Sequence, residues 1–145
     1  MEQTIVIKIE GCVTNAKREF TDMDDSRMEY SPYARFFGKE ESARWEVCGG
    51  SEVNLFLLKT IQAHANDRLK HNGYLFLNDV YEMLGLKKSK AGQVVGWVYK
   101  EDNPIGDNYV DFDIYNNYNR GFINGVNVDK VLLDFNVDGC ILDYI

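Results

Sequence analysis

Proline is scarce in this chain, two among 145 residues, cysteine comes as an odd three and histidine as a pair. With 45% hydrophobic and 27% charged residues and so little proline, the composition excludes a disordered chain, which could not offset the entropy of ordering. Cys12, Cys48 and Cys140 stand too far apart for a CxxC zinc or redox motif, and their odd number does not close a disulfide framework, so all three are expected to be reduced. His64 and His71 lie two helical turns apart, roughly 10 Å, too far to share one zinc ion from an unbroken helix. No apolar run approaches the roughly 20 residues of a membrane helix, and Met1 opens into a strand pattern without a basic n-region, so a cytoplasmic chain without membrane contact is expected. Gly49-Gly50 is too short for a glycine-rich phosphate loop, and no serine, cysteine or histidine nucleophile motif is present.

Basic residues are nearly missing from the last third. Net charge runs −3 over residues 1–50, +3 over 51–100 and −7 over 101–145, and −7 is also the charge of the whole chain. An acidic segment of this kind repels phosphate and argues against direct nucleic-acid binding, while it suits docking onto a basic partner.

The length is that of one domain, 1–145, enough to bury about two thirds of the unfolded surface. Thr4 to Glu10 alternates as a half-buried strand, and Asn15 to Glu46 is irregular, so residues 1–50 read as an N-terminal strand plus an irregular region. Residues 51–145 then read as helices and antiparallel strands. Ser51 caps a long helix that runs through Asn72 to a stop at Gly73, its apolar stripe formed by Leu55, Leu58, Ala65 and Leu69 with Ile61 at the edge. Asn78 caps a short helix, Asp79 to Leu84, closed by Gly85, and Lys87, Lys88 and Lys90 form a basic connector. A strand centred on Gly96-Trp97-Val98-Tyr99 follows, then a type I turn at Asn103-Pro104-Ile105-Gly106, and then a strand from Tyr109 to Tyr115 that turns Asp111 and Asp113 to one face.

Residues 131–145 alternate around Asp138-Gly139, which predicts a C-terminal β-hairpin with a type I′ turn. Phe135 would face Leu142 and Leu133 would face Tyr144, with Asp134 opposite Asp143, a like-charge pair that is destabilising unless neutralised. The predicted class is α+β, an antiparallel sheet with one long and one short helix.

The stretch Asp134-Phe135-Asn136-Val137-Asp138-Gly139 matches the start of a calcium loop, but Ile145 stands where the bidentate Glu belongs and no helices flank it, so no metal site is expected there. Convergence of Asp111, Asp113, Asp134 and Asp143 on one face would allow Mg²⁺-dependent phosphoesterase or nuclease chemistry. Trp97-Val98-Tyr99 beside the lysine connector could stack single-stranded nucleic acid, although core packing is the simpler role.

The segments Leu77-Asn78-Asp79-Val80-Tyr81, Leu84-Gly85-Leu86, Gly96-Trp97-Val98, Gly106-Asp107-Asn108-Tyr109-Val110-Asp111-Phe112 and Leu132 to Gly139 together resemble an uncharacterised domain family encoded by phages and prophages of Firmicutes, over residues 50–145. The resemblance implies a setting, phage infection of a bacterial cell, and no residue-level activity. Some of those relatives carry an apolar N-terminal membrane segment where this chain has residues 1–50.

The expectation is therefore a small acidic phage accessory protein that binds a host protein with a basic surface in the host cytoplasm, without enzymatic activity or cofactor, as an anti-CRISPR-like inhibitor of a nucleic-acid-binding effector. Asp107, Asp111, Asp113, Asp134, Asp138 and Asp143 would stand in for phosphates, and Tyr33, Phe36, Phe37 and Tyr118 would supply aromatic anchors. The alternatives are the metal-dependent phosphoesterase and a phage structural or scaffolding component.

Overall fold

Glycines close both main helices where the sequence places them. Helix α1 (Gly50–Asn72) ends on Gly73 at φ +87° and α2 (Leu77–Leu84) on Gly85 at φ +73°, left-handed conformations that a Cβ would strain. The helix starts differ from expectation. Gly49 is the N-cap of α1, and Ser51 lies buried inside the first turn. At α2 the Asp79 carboxylate accepts the Phe76 N–H at 3.3 Å, which sets the start one residue before Asn78. Asn78 instead clamps Ser89 of the basic connector, accepting its N–H and donating to its C=O, both at 2.9 Å. Leu58, Ile61, Ala65 and Leu69 are the buried stripe of α1, with Leu55 packed at its border, while Thr60, His64, Asp67 and His71 are exposed.

In this computed structural model the described residues are 2–7, 16–21 and 30–145. All strand pairs among them are antiparallel. Strand β1 (Glu2–Ile7) pairs with β2 (Ala16–Thr21), so the first strand starts and ends earlier than predicted, with residues 8–10 outside the described set. The stretch read as irregular holds β2 and also β3 (Arg35–Gly38), which pairs with β6 (Lys130–Leu133). A three-stranded sheet has the order β4 (Tyr74–Phe76), β5 (Val95–Val98), β7 (Gly139–Cys140). A single helical turn, α3 (Arg120–Ile123), precedes β6. The class is α+β with one long and one short main helix, and β4 with β5 forms an antiparallel pair in the C-terminal two thirds.

The register of residues 131–145 corrects the one read from the sequence. The residues either side of Asp138-Gly139 take separate partners: β6 lies on β3, and β7 lies on β5 with Gly96 opposite Gly139. The cause is nonlocal. Asp138 donates its N–H to Gly96 O at 2.8 Å and its Oδ2 accepts the Val98 N–H at 2.9 Å, while the Ile141 N–H reaches Val94 O at 3.0 Å. A type I′ turn needs positive φ at both central residues, and only Gly139 has it, at +128°. Leu142–Tyr144 coils into a 3-10 turn, so Asp143 does not stand opposite Asp134.

The core lies between α1, α2 and these strands. Phe135 meets Phe112 and Tyr81 edge-on at ring distances of 5.3 and 5.7 Å, and Phe37 meets Trp45 at 5.6 Å. Such contacts contribute about 0.5–1.5 kcal/mol each beyond burial. The Tyr81 hydroxyl donates to Tyr33 O at 2.8 Å and so fixes the chain entering β3 to α2.

Candidate functional site

Residues 109–115 keep a strand's alternation without a strand's ladder. Val110, Phe112 and Ile114 are buried while Asp111 is half-buried and Asp113 exposed, so the predicted facing of the two carboxylates holds. Side-chain amides replace the missing partner strand. Gln62 Oε1 accepts the Phe112 N–H and Asn66 Oδ1 the Val110 N–H, each at 2.7 Å, and Asn66 Nδ2 donates to Val110 O at 3.0 Å. Gln62 and Asn66 are four residues apart on α1 and therefore on one face, spaced to meet alternate residues of an extended chain. On the other side Asn136 Oδ1 accepts the Asp111 N–H at 2.7 Å, and the backbone N–H groups of Asp134 and Asn136 donate to Phe112 O and Asp111 O.

That second contact draws Asp134 to Asp111 and Asp113. The Asp113 carboxyl is held above its ordinary value of 3.8 by partial burial first, then by the negative charges of Asp134 and Asp111. Local bonds hold the trio together. Asp113 sits at φ +54°, and its N–H donates to Asp111 Oδ1 at 2.8 Å. Both Asp134 oxygens accept the Ser31 N–H, at 3.2 and 3.1 Å. The ion pairs among the described residues are Lys39 with Asp129 and Lys88 with Glu82, and neither involves the trio.

An aromatic pair lies alongside. Asn116 Nδ2 bridges Asp113 O and Leu132 O, both at 2.9 Å, and Leu132 is the register partner of Phe36. Phe36 packs on Tyr118 at 5.5 Å, and Lys130 Nζ stands 4.5 Å above the Phe36 ring. Phe36 is half-buried and Tyr118 exposed. Tyr33 and Phe37 are core residues, 8% and 0% exposed, which overturns their assignment as anchors because neither can meet a partner's surface.

The remaining aspartates stand elsewhere. Asp138 is half-buried: its Oδ2 accepts from Val98 N–H and, at 3.4 Å, from Asn103 Nδ2, and burial raises its pKa above 3.8. It works as a latch on the chain leaving β5, and only glycine at 106 leaves room for it. Asp107 is exposed, with its Oδ2 3.4 Å from Asn136 Nδ2, and Asp143 lies exposed on the terminal 3-10 turn. Among the described residues no three histidine, cysteine or acidic groups stand together as metal ligands, so the phosphoesterase reading gains no ligand set from them. Trp97 is fully buried and its indole N–H donates to Asn136 Oδ1 at 2.9 Å, so it cannot stack a nucleobase. Cys140 is disulfide-bonded, which corrects the expectation of three reduced thiols; Cys48 is a free, exposed thiol and Cys12 lies outside the described residues.

Sequence reasoning missed the residues that assemble the trio, namely Gln62, Asn66, Asn116 and Asn136. The only advance signal was amides placed where apolar stripes end, at α1 and between Phe135 and Val137. No helix of the described residues is long and apolar enough to cross a membrane. No curated protein and no solved structure matches this chain. One family does, over residues 2–145, so it extends across the first fifty residues as well as the part in which the resemblance was read. The chain belongs to that family, described as "Family of unknown function (DUF6353)".

Proposed function

We propose that this protein acts by binding, without catalysis, and that Asp111, Asp113 and Asp134 with the neighbouring Phe36 and Tyr118 form the surface that a basic partner meets. The observation that carries the reading is the crowding of three carboxylates without a described ion pair of their own. Like charges gathered on a surface cost stability, and a cationic partner relieves that cost. Attraction of this kind speeds association and weakens with salt, while Phe36 and Tyr118 supply the apolar contact that slows release. Drawing on the resemblance to phage-encoded domains, the partner is a host bacterial protein in the cytoplasm. A nucleic-acid-binding defence effector, whose basic channel accepts phosphates, has the matching chemistry.

The test is capture from host lysate by the immobilised chain, compared with an Asp111→Lys, Asp113→Lys double variant whose near-UV spectrum matches the parent. Loss of the captured protein, together with its elution from the parent by moderate salt, supports the reading. Equal capture by both chains refutes it.

A further inference from the structure

We propose that the outer face of α1 around Phe56 is an interface between two copies of this chain, which cross antiparallel so that Glu52 of each meets Lys59 of the other. This face uses none of the aspartates described above. α1 is apolar on two sides. Its inner stripe is covered by the core, but Phe56 stands 72% exposed and Val53 42%, and Val47 just before the helix is 67% exposed. Phe56 is the most exposed large apolar side chain among the described residues. Single scattered exposures need no account, whereas three gathered at one end of one helix mark a face that something covers.

The patch is held in shape before any partner arrives. Asn54 accepts the Glu46 N–H at 2.8 Å and donates to Glu46 O at 2.9 Å, which ties the incoming chain to the first turns of α1. Gly49 then lies so close to Val53 that a Cβ there would stand 2.7 Å from its Cγ2. Little freedom remains to be lost when the face is covered, so more of the burial appears as affinity.

Charge selects the occupant. Glu52, Phe56 and Lys59 share one exposed stripe of α1, with the opposite charges two turns, about 10 Å, apart and the ring between them. Neither charge has an ion pair among the described residues, and the Lys59 Nζ is positioned 5.5 Å from the Tyr115 ring. A stripe with an acid at one end and a base at the other complements itself when reversed. An antiparallel crossing about a two-fold axis near Phe56 forms the Glu52–Lys59 pair twice and brings the two Phe56 rings together, while a parallel crossing sets like charge on like. A strongly acidic or strongly basic partner gains from one of the two charges and loses on the other. A stable interface buries about 1,000 Å² in total, and three apolar side chains from each copy supply a modest share of it, so the dimer is expected to dissociate in the micromolar range.

Sedimentation equilibrium of the full chain from about 1 μM to about 1 mM tests the interface, in a Cys48→Ser background so that the free, exposed thiol cannot link two copies. A reversible monomer–dimer equilibrium is expected. Phe56→Ser should abolish the dimer over that range while the far-UV spectrum stays unchanged. Glu52→Lys and Lys59→Glu should each weaken association about tenfold, since each puts two like-charge contacts in place of two attractive ones. The double variant, Glu52→Lys with Lys59→Glu, should restore it. A chain that stays monomeric throughout, a dimer indifferent to Phe56→Ser, or a double variant no tighter than the single ones overturns the interface.

Discussion

The two ends of the chain beyond β3 solve the same problem in opposite ways. Between Gly50 and Val98, backbone groups are satisfied by regular helices and the β4–β5 ladder. From Asn103 to Asp138, side-chain amides and carboxylates do much of that work, one asparagine at a time. Asn103 Oδ1 accepts the N–H groups of Ile105 and Gly106, Asn119 serves both Ile114 and Leu132, and Asn136 joins Trp97, Tyr109 and Asp111. A ladder tolerates the loss of most individual side chains, since its bonds are backbone to backbone. A chain held by latches fails at a single residue.

The strongest way to break this contrast is Asn119→Leu. Asn119 is 1% exposed; its Oδ1 accepts the Leu132 N–H at 2.8 Å, and its Nδ2 donates to Ile114 O and Leu132 O at 2.9 and 2.7 Å. Leucine keeps much of the volume but leaves the Leu132 N–H and the Ile114 carbonyl buried and unpaired, at about 1–3 kcal/mol each. The expected loss is roughly 3 kcal/mol in urea unfolding. Hydrogen exchange should rise first at residues 112–119 and 130–133 while α1 stays protected. Uniform loss of protection across the chain would show that the two regions do not differ in this way.

A smaller effect is expected from Gly73→Ala in the ladder region. No atom lies within 4 Å of the added Cβ, so the whole cost is the φ of +87°, about 1–2 kcal/mol. The helix should fray at its last turn without disturbing β4, which a drop in the unfolding midpoint with an unchanged denaturant slope would register.

What could be read in advance follows the same division. α1 and α2 were legible because a helix writes its stripe and its glycine stop within a few residues, as Leu58, Ile61, Ala65, Leu69 and Gly73 do. The outward facing of Asp111 and Asp113 was legible too, from alternation alone. The Asp138-Gly139 signal misled because its outcome depended on Gly96 and Val98, some forty residues away. That Asp134 joins Asp111 and Asp113 stayed one open possibility, because nothing in the sequence requires the 109–115 segment and the residues before Asp138 to meet; the backbone bonds of Asp134 and Asn136 to Phe112 and Asp111 decide it, and Asp143 is left out. Tyr33 and Phe37 look no different from Phe36 in sequence; the pairing of β3 with β6 decides which of the two phenylalanine rings turns inward, and Tyr33 is buried in the turn that precedes β3.

The mildest test sharpens the comparison where latch and candidate surface coincide. Asp113 is crowded by Asp111 and Asp134, and its carboxyl titrates above its ordinary 3.8 in the folded protein. A proton therefore binds more tightly in the folded than in the unfolded chain. The stability this contributes is fully present below pH 3.8 and is lost as pH rises through the raised folded value. At neutral pH the charge is a cost, and Asp113→Asn removes it. Because Asp113 is exposed and screened by water, the gain at pH 7 should stay below about 1 kcal/mol. It should shrink as the pH falls through the raised folded value toward 3.8, and it should fade in high salt. Paired urea titrations of parent and variant at pH 7 and pH 4.5 check this. A variant less stable than its parent at pH 7 would mean that the Asp113 carboxylate is held by an attraction and not by repulsion, and the trio would lose its claim to be an unneutralised surface.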